Sequence, residues 1–141
     1  MDALNLKDFP SITFDKIRYG DTDSQGHVNN AVFSTFLETG RVELLFNAGP
    51  SFLSGETGMV IASLKLNFLR EVKWPGKVDI GTGIIKLGNS SITIFQKIFQ
   101  NEVCVATAET VIVQVDNTSG QSKPLTDNAR KALERFLITE S

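Results

Sequence analysis

The segment GDTDSQGHVNNAVF, residues 20–33, concentrates the side chains of this chain that are suited to chemistry. It holds Asp21, Asp23, Asn29, Asn30 and His27, the only histidine among 141 residues. An ionised carboxylate can attack as a nucleophile or act as a base toward water. An imidazole can orient or polarise a bound group. The N–H groups that open a helix have no partner inside it and can stabilise negative charge growing on an oxygen. The same residue types also build turns and helix caps, since Asp, Ser, Gly and Asn are what both select. The flanking elements have to discriminate between the two uses.

Upstream, SITFDKIRYG alternates Ile12 and Phe14 with Thr13 and Asp15, which predicts a strand over about residues 11–19. Downstream, Phe33, Leu37, Leu44 and Ala48, with Val32, Phe36 and Leu45 beside them, follow a 3.6-residue period. They predict a helix over about residues 30–48 with a wide apolar face, stopped by Gly49–Pro50. Gly40 lies on that face, and a glycine inside a helix costs about 1 kcal/mol relative to alanine. Close approach of the helix to a sheet would compensate.

The remainder reads as strands separated by short turns. MVIASLKLNFLREV places Leu64, Leu66 and Phe68 opposite Lys65 and Asn67, and WPGK breaks it. VDIGTGIIKL, SITIFQKIFQ and VCVATAETVIVQV follow, the second with Ile92, Ile94 and Ile98 on one side. In the last, Val103, Val105, Val111, Val113 and Val115 share one face, and Cys104, Ala106 and Ala108 on the other are small enough to admit a helix. Thr126 or Asp127 starts a tail helix with Ala129, Leu133 and Leu137 at helical spacing. The expectation is an α+β fold of one domain over residues 1–141, a curved antiparallel sheet of five strands around one long helix.

Composition narrows the partners. With a net charge of −2 and 21% charged residues, nothing points to nucleic acid or to an anionic membrane surface. Cys104 is the only cysteine, so no internal disulfide forms, and one Cys with one His cannot build the usual zinc clusters. No spacing suggests another metal site or a cofactor. The N-terminus lacks a basic, apolar leader and no run reaches membrane-spanning length, so a cytoplasmic protein is expected.

The pattern YGDTDSQGHVNNAVFSTFLE resembles the signature of the hotdog-fold thioesterases, specifically the 4-hydroxybenzoyl-CoA thioesterase-like family. The element order agrees to about residue 115. HVNN is also similar to plant acyl-carrier-protein thioesterases, although Gln25 stands where those have Asn. The resemblance implies hydrolysis of acyl-CoA thioesters to the free acid and CoA. Asp23 would be nucleophile or general base, the N–H of Asn30 the oxyanion donor, and His27 would orient or polarise substrate. From the residues themselves, Phe33 either lines an acyl site or belongs to the core, Ser63 is placed to face the site from a partner subunit, and Arg70, with Lys73, either meets coenzyme A phosphates or forms a solvated strand end. A basic cluster of the founding enzyme is replaced here by LGNSS, residues 87–91. The carrier is coenzyme A or acyl carrier protein, and the family implies a homodimer or homotetramer with the site between subunits.

Other readings stay open: a hotdog enoyl-CoA hydratase or dehydratase, or a non-catalytic acyl-CoA-binding protein. Elsewhere, Asp21 reads as a loop carboxylate paired with Arg18, Glu38 and Arg41 as an i,i+3 ion pair, and Cys104 as core packing.

Overall fold

The computed structural model describes residues 1–139; the last two positions of the expected 1–141 domain lie outside them. The strands are β1 (Ser11–Lys16), β2 (Thr57–Phe68), β3 (Lys77–Leu87), β4 (Ser91–Gln100) and β5 (Val103–Asp116). Helix α1 spans Val32–Ala48 and α2 spans Asp127–Glu134. The strands form one antiparallel sheet in the order β1-β3-β4-β5-β2. Asn101 and Glu102, both at positive φ (52° and 69°), make the two-residue turn that joins β4 to β5, the geometry that matches strand twist.

The sheet wraps α1, and the arc of Phe33, Phe36, Leu37, Leu44, Leu45 and Ala48 is buried against it. This is the hotdog fold. Ile80, Ile98, Ala106 and Ala108 pack under the first half of the helix, and Ile84, Ile92, Ile94 and Ile112 under the second. Gly40 sits where helix and sheet come closest: a Cβ there would lie 2.5 Å from Oγ1 of Thr82 and 2.8 Å from Cγ2 of Ile80. The expected close approach is therefore present.

α2 is capped by Thr126, whose Oγ1 accepts the N–H of Ala129 at 3.1 Å. It is shorter than the periodicity suggested. Leu137 has left the helix and bridges Ile84, with Ile138 N–H donating to the Ile84 carbonyl at 2.8 Å.

Two places differ from the sequence expectation, and one residue of a third. In β1, Ile12 and Phe14 point outward, 48% and 61% exposed. Thr13 and Asp15 instead face the flank of α1, where Thr13 Oγ1 donates to Glu43 Oε2 at 2.6 Å and Thr39 Oγ1 to Asp15 Oδ2 at 3.1 Å. The helix flank there is polar, so the polar side of the strand matches it. β5 keeps the expected faces: Ala106 and Ala108 meet the helix, continued by Thr110, Ile112 and Gln114, while Val111, Val113 and Val115 sit half-buried on the other side. Val105, expected on the valine face, is buried: it is the extra residue between Cys104 and Ala106, which pair with the adjacent Phe99 and Ile98 of β4. Finally, Arg41 does not pair with Glu38 on the surface. It is buried, its Nη1 has no partner among the described residues, and burial lowers its pKa while Glu38 opposes that shift.

Candidate active site

β1 ends at Lys16, short of the expected Tyr19, and Tyr19–Asp21 forms a 3₁₀ turn. The chain then doubles back, with Thr22 bridging Val28 and His27 bridging Lys73. Val28 N–H donates to the Val72 carbonyl at 2.8 Å, and both side chains are buried in the core. The polar loop is thus pinned by apolar anchors to the β2–β3 connection. Asp21 holds its other end. Its carboxylate accepts the Arg18 N–H at 2.9 Å and lies 3.6 Å from Arg18 Nε, and its carbonyl accepts the Asn29 N–H at 2.9 Å.

Asp23 has two different oxygens. Oδ1 accepts the N–H groups of Gln25 at 2.8 Å and His27 at 3.2 Å. Oδ2 has no hydrogen-bond partner among the described residues. The turn role and a chemical role therefore coexist on one side chain: one oxygen fixes the loop and the other remains open on an exposed carboxylate.

The start of α1 separates the two asparagines. Asn29 holds the turn that leads into α1, whose N-cap is Ala31: its Oδ1 accepts the Ala31 N–H at 3.0 Å and its carbonyl the Val32 N–H at 2.9 Å. Asn30 follows with its N–H lacking an acceptor among the described residues, while its carbonyl takes the Phe33 N–H at 3.2 Å. An unpartnered amide at a helix opening is a ready anion donor.

These groups share one cleft of about 500 Å³. Asp23, His27, Asn30, Phe33 and Arg70 all line it. Ser63 does not: it lies in the middle of β2, exposed and just past a register shift at Ile61/Ser63. Phe68, Leu69 and Glu71, which the sequence reading did not assign to the site, complete the wall. Phe33 and Phe68 meet edge to face with ring centroids 5.1 Å apart. His27 Nε2 lies 3.1 Å from Oε2 of Glu71. No periodicity pairs helix α1 with the end of β2, so only the strand order brings those residues together.

Cys104 is half-buried in β5 and outside the cleft; burial pushes its thiol up, with Lys97 opposing. A thiol held neutral is a poor nucleophile. Among the described residues no group of three or more His, Cys, Asp or Glu is placed to hold a metal.

The profile of the thioesterase-like superfamily matches residues 17–133, from the end of β1 to α2. This chain belongs to the thioesterase-like superfamily. That membership sets the reaction class as thioester hydrolysis. The chain is 28% identical over 119 residues to the uncharacterized protein YsmA of Bacillus subtilis (strain 168), covering 83% of this chain and 80% of that one. A thioesterase from Thermus thermophilus, complexed with coenzyme A and Zn, superposes with a TM-score of 0.84 at 27% identity over 92% of this chain and 96% of its own. A predicted thioesterase from Bacillus stearothermophilus does so at 0.84 and 29% identity, over 93% and 98%. The superfamily match includes the whole loop that carries Asp23, His27 and Asn30 as well as Arg70 and Glu71.

Proposed function

We propose that this superfamily member hydrolyses acyl-CoA thioesters, with Asp23 and the opening of α1 as its reaction centre. The observation that carries the reading is the sharing of one cleft by the open Asp23 carboxylate oxygen and the unpartnered Asn30 N–H. Asp23 Oδ2 either attacks the carbonyl carbon or takes a proton from an attacking water. In both cases the carbonyl oxygen gains charge, and the Asn30 N–H, with the positive end of the α1 dipole, stabilises it. Collapse of the tetrahedral adduct breaks the carbon–sulfur bond, and coenzyme A leaves as a thiolate that is then protonated. After direct attack, water hydrolyses the resulting anhydride and restores Asp23.

Phe33 and Phe68 form an apolar wall suited to the acyl group, and Arg70 offers a cation at the rim for the phosphorylated carrier. The coenzyme A bound by the similar Thermus thermophilus thioesterase supports that carrier over acyl carrier protein.

The assembly we propose is a homodimer, or a pair of dimers, built on β2. Among the described residues this strand pairs with β5 alone, and along it Val60, Ile61, Leu64 and Phe68 are 40–53% exposed. Such an apolar, unpaired edge invites a second strand. Phe68 and Leu69 belong both to this edge and to the cleft, so a second copy would complete the site. Among the described residues no helix is long and apolar enough to cross a membrane, and the cytoplasm is the proposed location.

The test is release of free thiol from a panel of acyl-CoAs by wild type and Asp23→Asn. Hydrolysis is expected to fall by about 10²–10⁴-fold in the variant. Equal rates would remove Asp23 from the mechanism, and no release from any acyl-CoA would overturn the reading.

A further inference from the structure

His27 is joined to a residue of the β2–β3 connection across the cleft wall. Its Nε2 lies 3.1 Å from Glu71 Oε2, with the imidazole only 25% exposed and the carboxylate 65%. Neither backbone is free to drift. The residue after His27 donates its N–H to the residue after Glu71, Val28 to Val72, and His27 itself bridges Lys73. The nearby Asp23 carboxylate takes the backbone N–H of His27, so Glu71 is the acid engaged with the ring. The ladder bonds beside each residue hold the two backbones at a separation that the side chains span.

The contact is an ion-pair distance without the alignment of a hydrogen bond, and a negative oxygen 3.1 Å away favours a proton, not a lone pair, on the nitrogen that faces it. A neutral imidazole has a single N–H; with it on Nε2, Nδ1 carries the lone pair. We propose that Glu71 is a positioning residue that holds His27 in the Nε2–H tautomer and leaves Nδ1 as an acceptor for a hydrogen-bond donor bound in the cleft. The assignment divides the labour of the site. His27 receives a hydrogen bond, from the attacking water or from an N–H of the carrier arm. Donation to the substrate carbonyl falls to the Asn30 N–H. The catalytic consequence rests on the thioester-hydrolase reading, whereas the tautomer assignment does not.

Because the chain has one histidine, its ring nitrogens are read without assignment ambiguity by ¹⁵N NMR. The spectrum is recorded at alkaline pH, where the tautomer of a neutral imidazole is visible. Wild type is expected to show a protonated Nε2, with a persistent ring N–H signal, and a bare Nδ1. In Glu71→Ala both tautomers become populated and the ring N–H signal is lost to exchange with water. Glu71→Gln, whose amide oxygen still accepts, restores the wild-type pattern in part. In the hydrolysis assay Glu71→Ala lowers kcat roughly tenfold with KM little changed, as expected for a misplaced group. Identical ring spectra in wild type and Glu71→Ala, or an Nδ1–H form in wild type, overturn the proposal. If wild type hydrolyses no acyl-CoA, the hydrolase reading fails while the spectra still decide the role of Glu71.

Discussion

Gly40 of α1 and Gln96 of β4 meet so closely that a methyl group at position 40 would lie 2.6 Å from Nε2 of Gln96. That nitrogen is fully buried and donates to the Leu37 carbonyl at 3.0 Å and to Thr82 Oγ1 at 3.1 Å. A side-chain amide of the sheet thus takes the space that the missing side chain leaves, and ties helix to sheet at that point. Gly40→Ala gains about 1 kcal/mol in helix propensity. Overpacking opposes it by about 1–3 kcal/mol, and displacing the buried amide from its partners costs about 1–3 kcal/mol more. The net expectation is destabilisation by roughly 1–5 kcal/mol, read as a lower denaturant midpoint. An unchanged or raised midpoint would mean that Gln96 moves aside freely.

Asp23→Asn should leave the fold intact. An amide oxygen can accept the same Gln25 and His27 N–H groups that Oδ1 accepts now. Its thermal midpoint should stay near wild type, whereas Asp23→Ala, which loses both bonds, should fall by about 0.5–1.5 kcal/mol per bond at most. A large loss of stability in Asp23→Asn would show that the charge, not the oxygen, holds the turn.

Leu64→Glu places a carboxylate on the open edge of β2, where Leu64 is now 40% exposed. In an edge-to-edge dimer built on β2 each copy then carries an added negative charge into the interface, which disfavours pairing. Sedimentation should show a shift toward monomer, with hydrolysis falling in parallel because Phe68 and Leu69 share that edge. A variant that sediments like wild type would place the interface elsewhere.

Cys104 has its thiol pushed up from the ordinary 9.0 by burial, with Lys97 pulling the other way. A folded value above the unfolded one contributes stability that is fully present below the unfolded value and is lost as pH rises through the folded value. Chain stability should therefore decline in the alkaline range, and Cys104→Ala should flatten that decline. Alkylation near pH 8 should be slower in the folded chain than in denaturant. Equal rates in the two states would mean that the thiol is freely solvated.

Much of the architecture was legible because local rules and the global fold agree. The 3.6-residue stripe from Phe33 to Ala48, the Gly49–Pro50 stop, the Thr126 cap and the Asn101–Glu102 turn are each specified by neighbours in the chain. Alternation misled in β1, where Ile12 and Phe14 face outward. A period of two states that the faces differ but not which one meets the helix, and the polar flank of α1 at Thr39 and Glu43 made that choice. The burial of Arg41 and Gln96 escaped the pattern for a related reason: whether a polar residue is covered depends on what packs over it, which no spacing records.

The loop from Asp21 to Asn30 is contiguous, so residue order alone put a carboxylate, an imidazole and a helix opening within a few residues of one another. The open and engaged oxygens of Asp23, the split of roles between Asn29 and Asn30, and the contacts of His27 with Glu71 and Phe33 with Phe68 came only from the folded chain. Those contacts join residues far apart in sequence, and their distances are set by strand order and core packing, not by any local preference of the backbone.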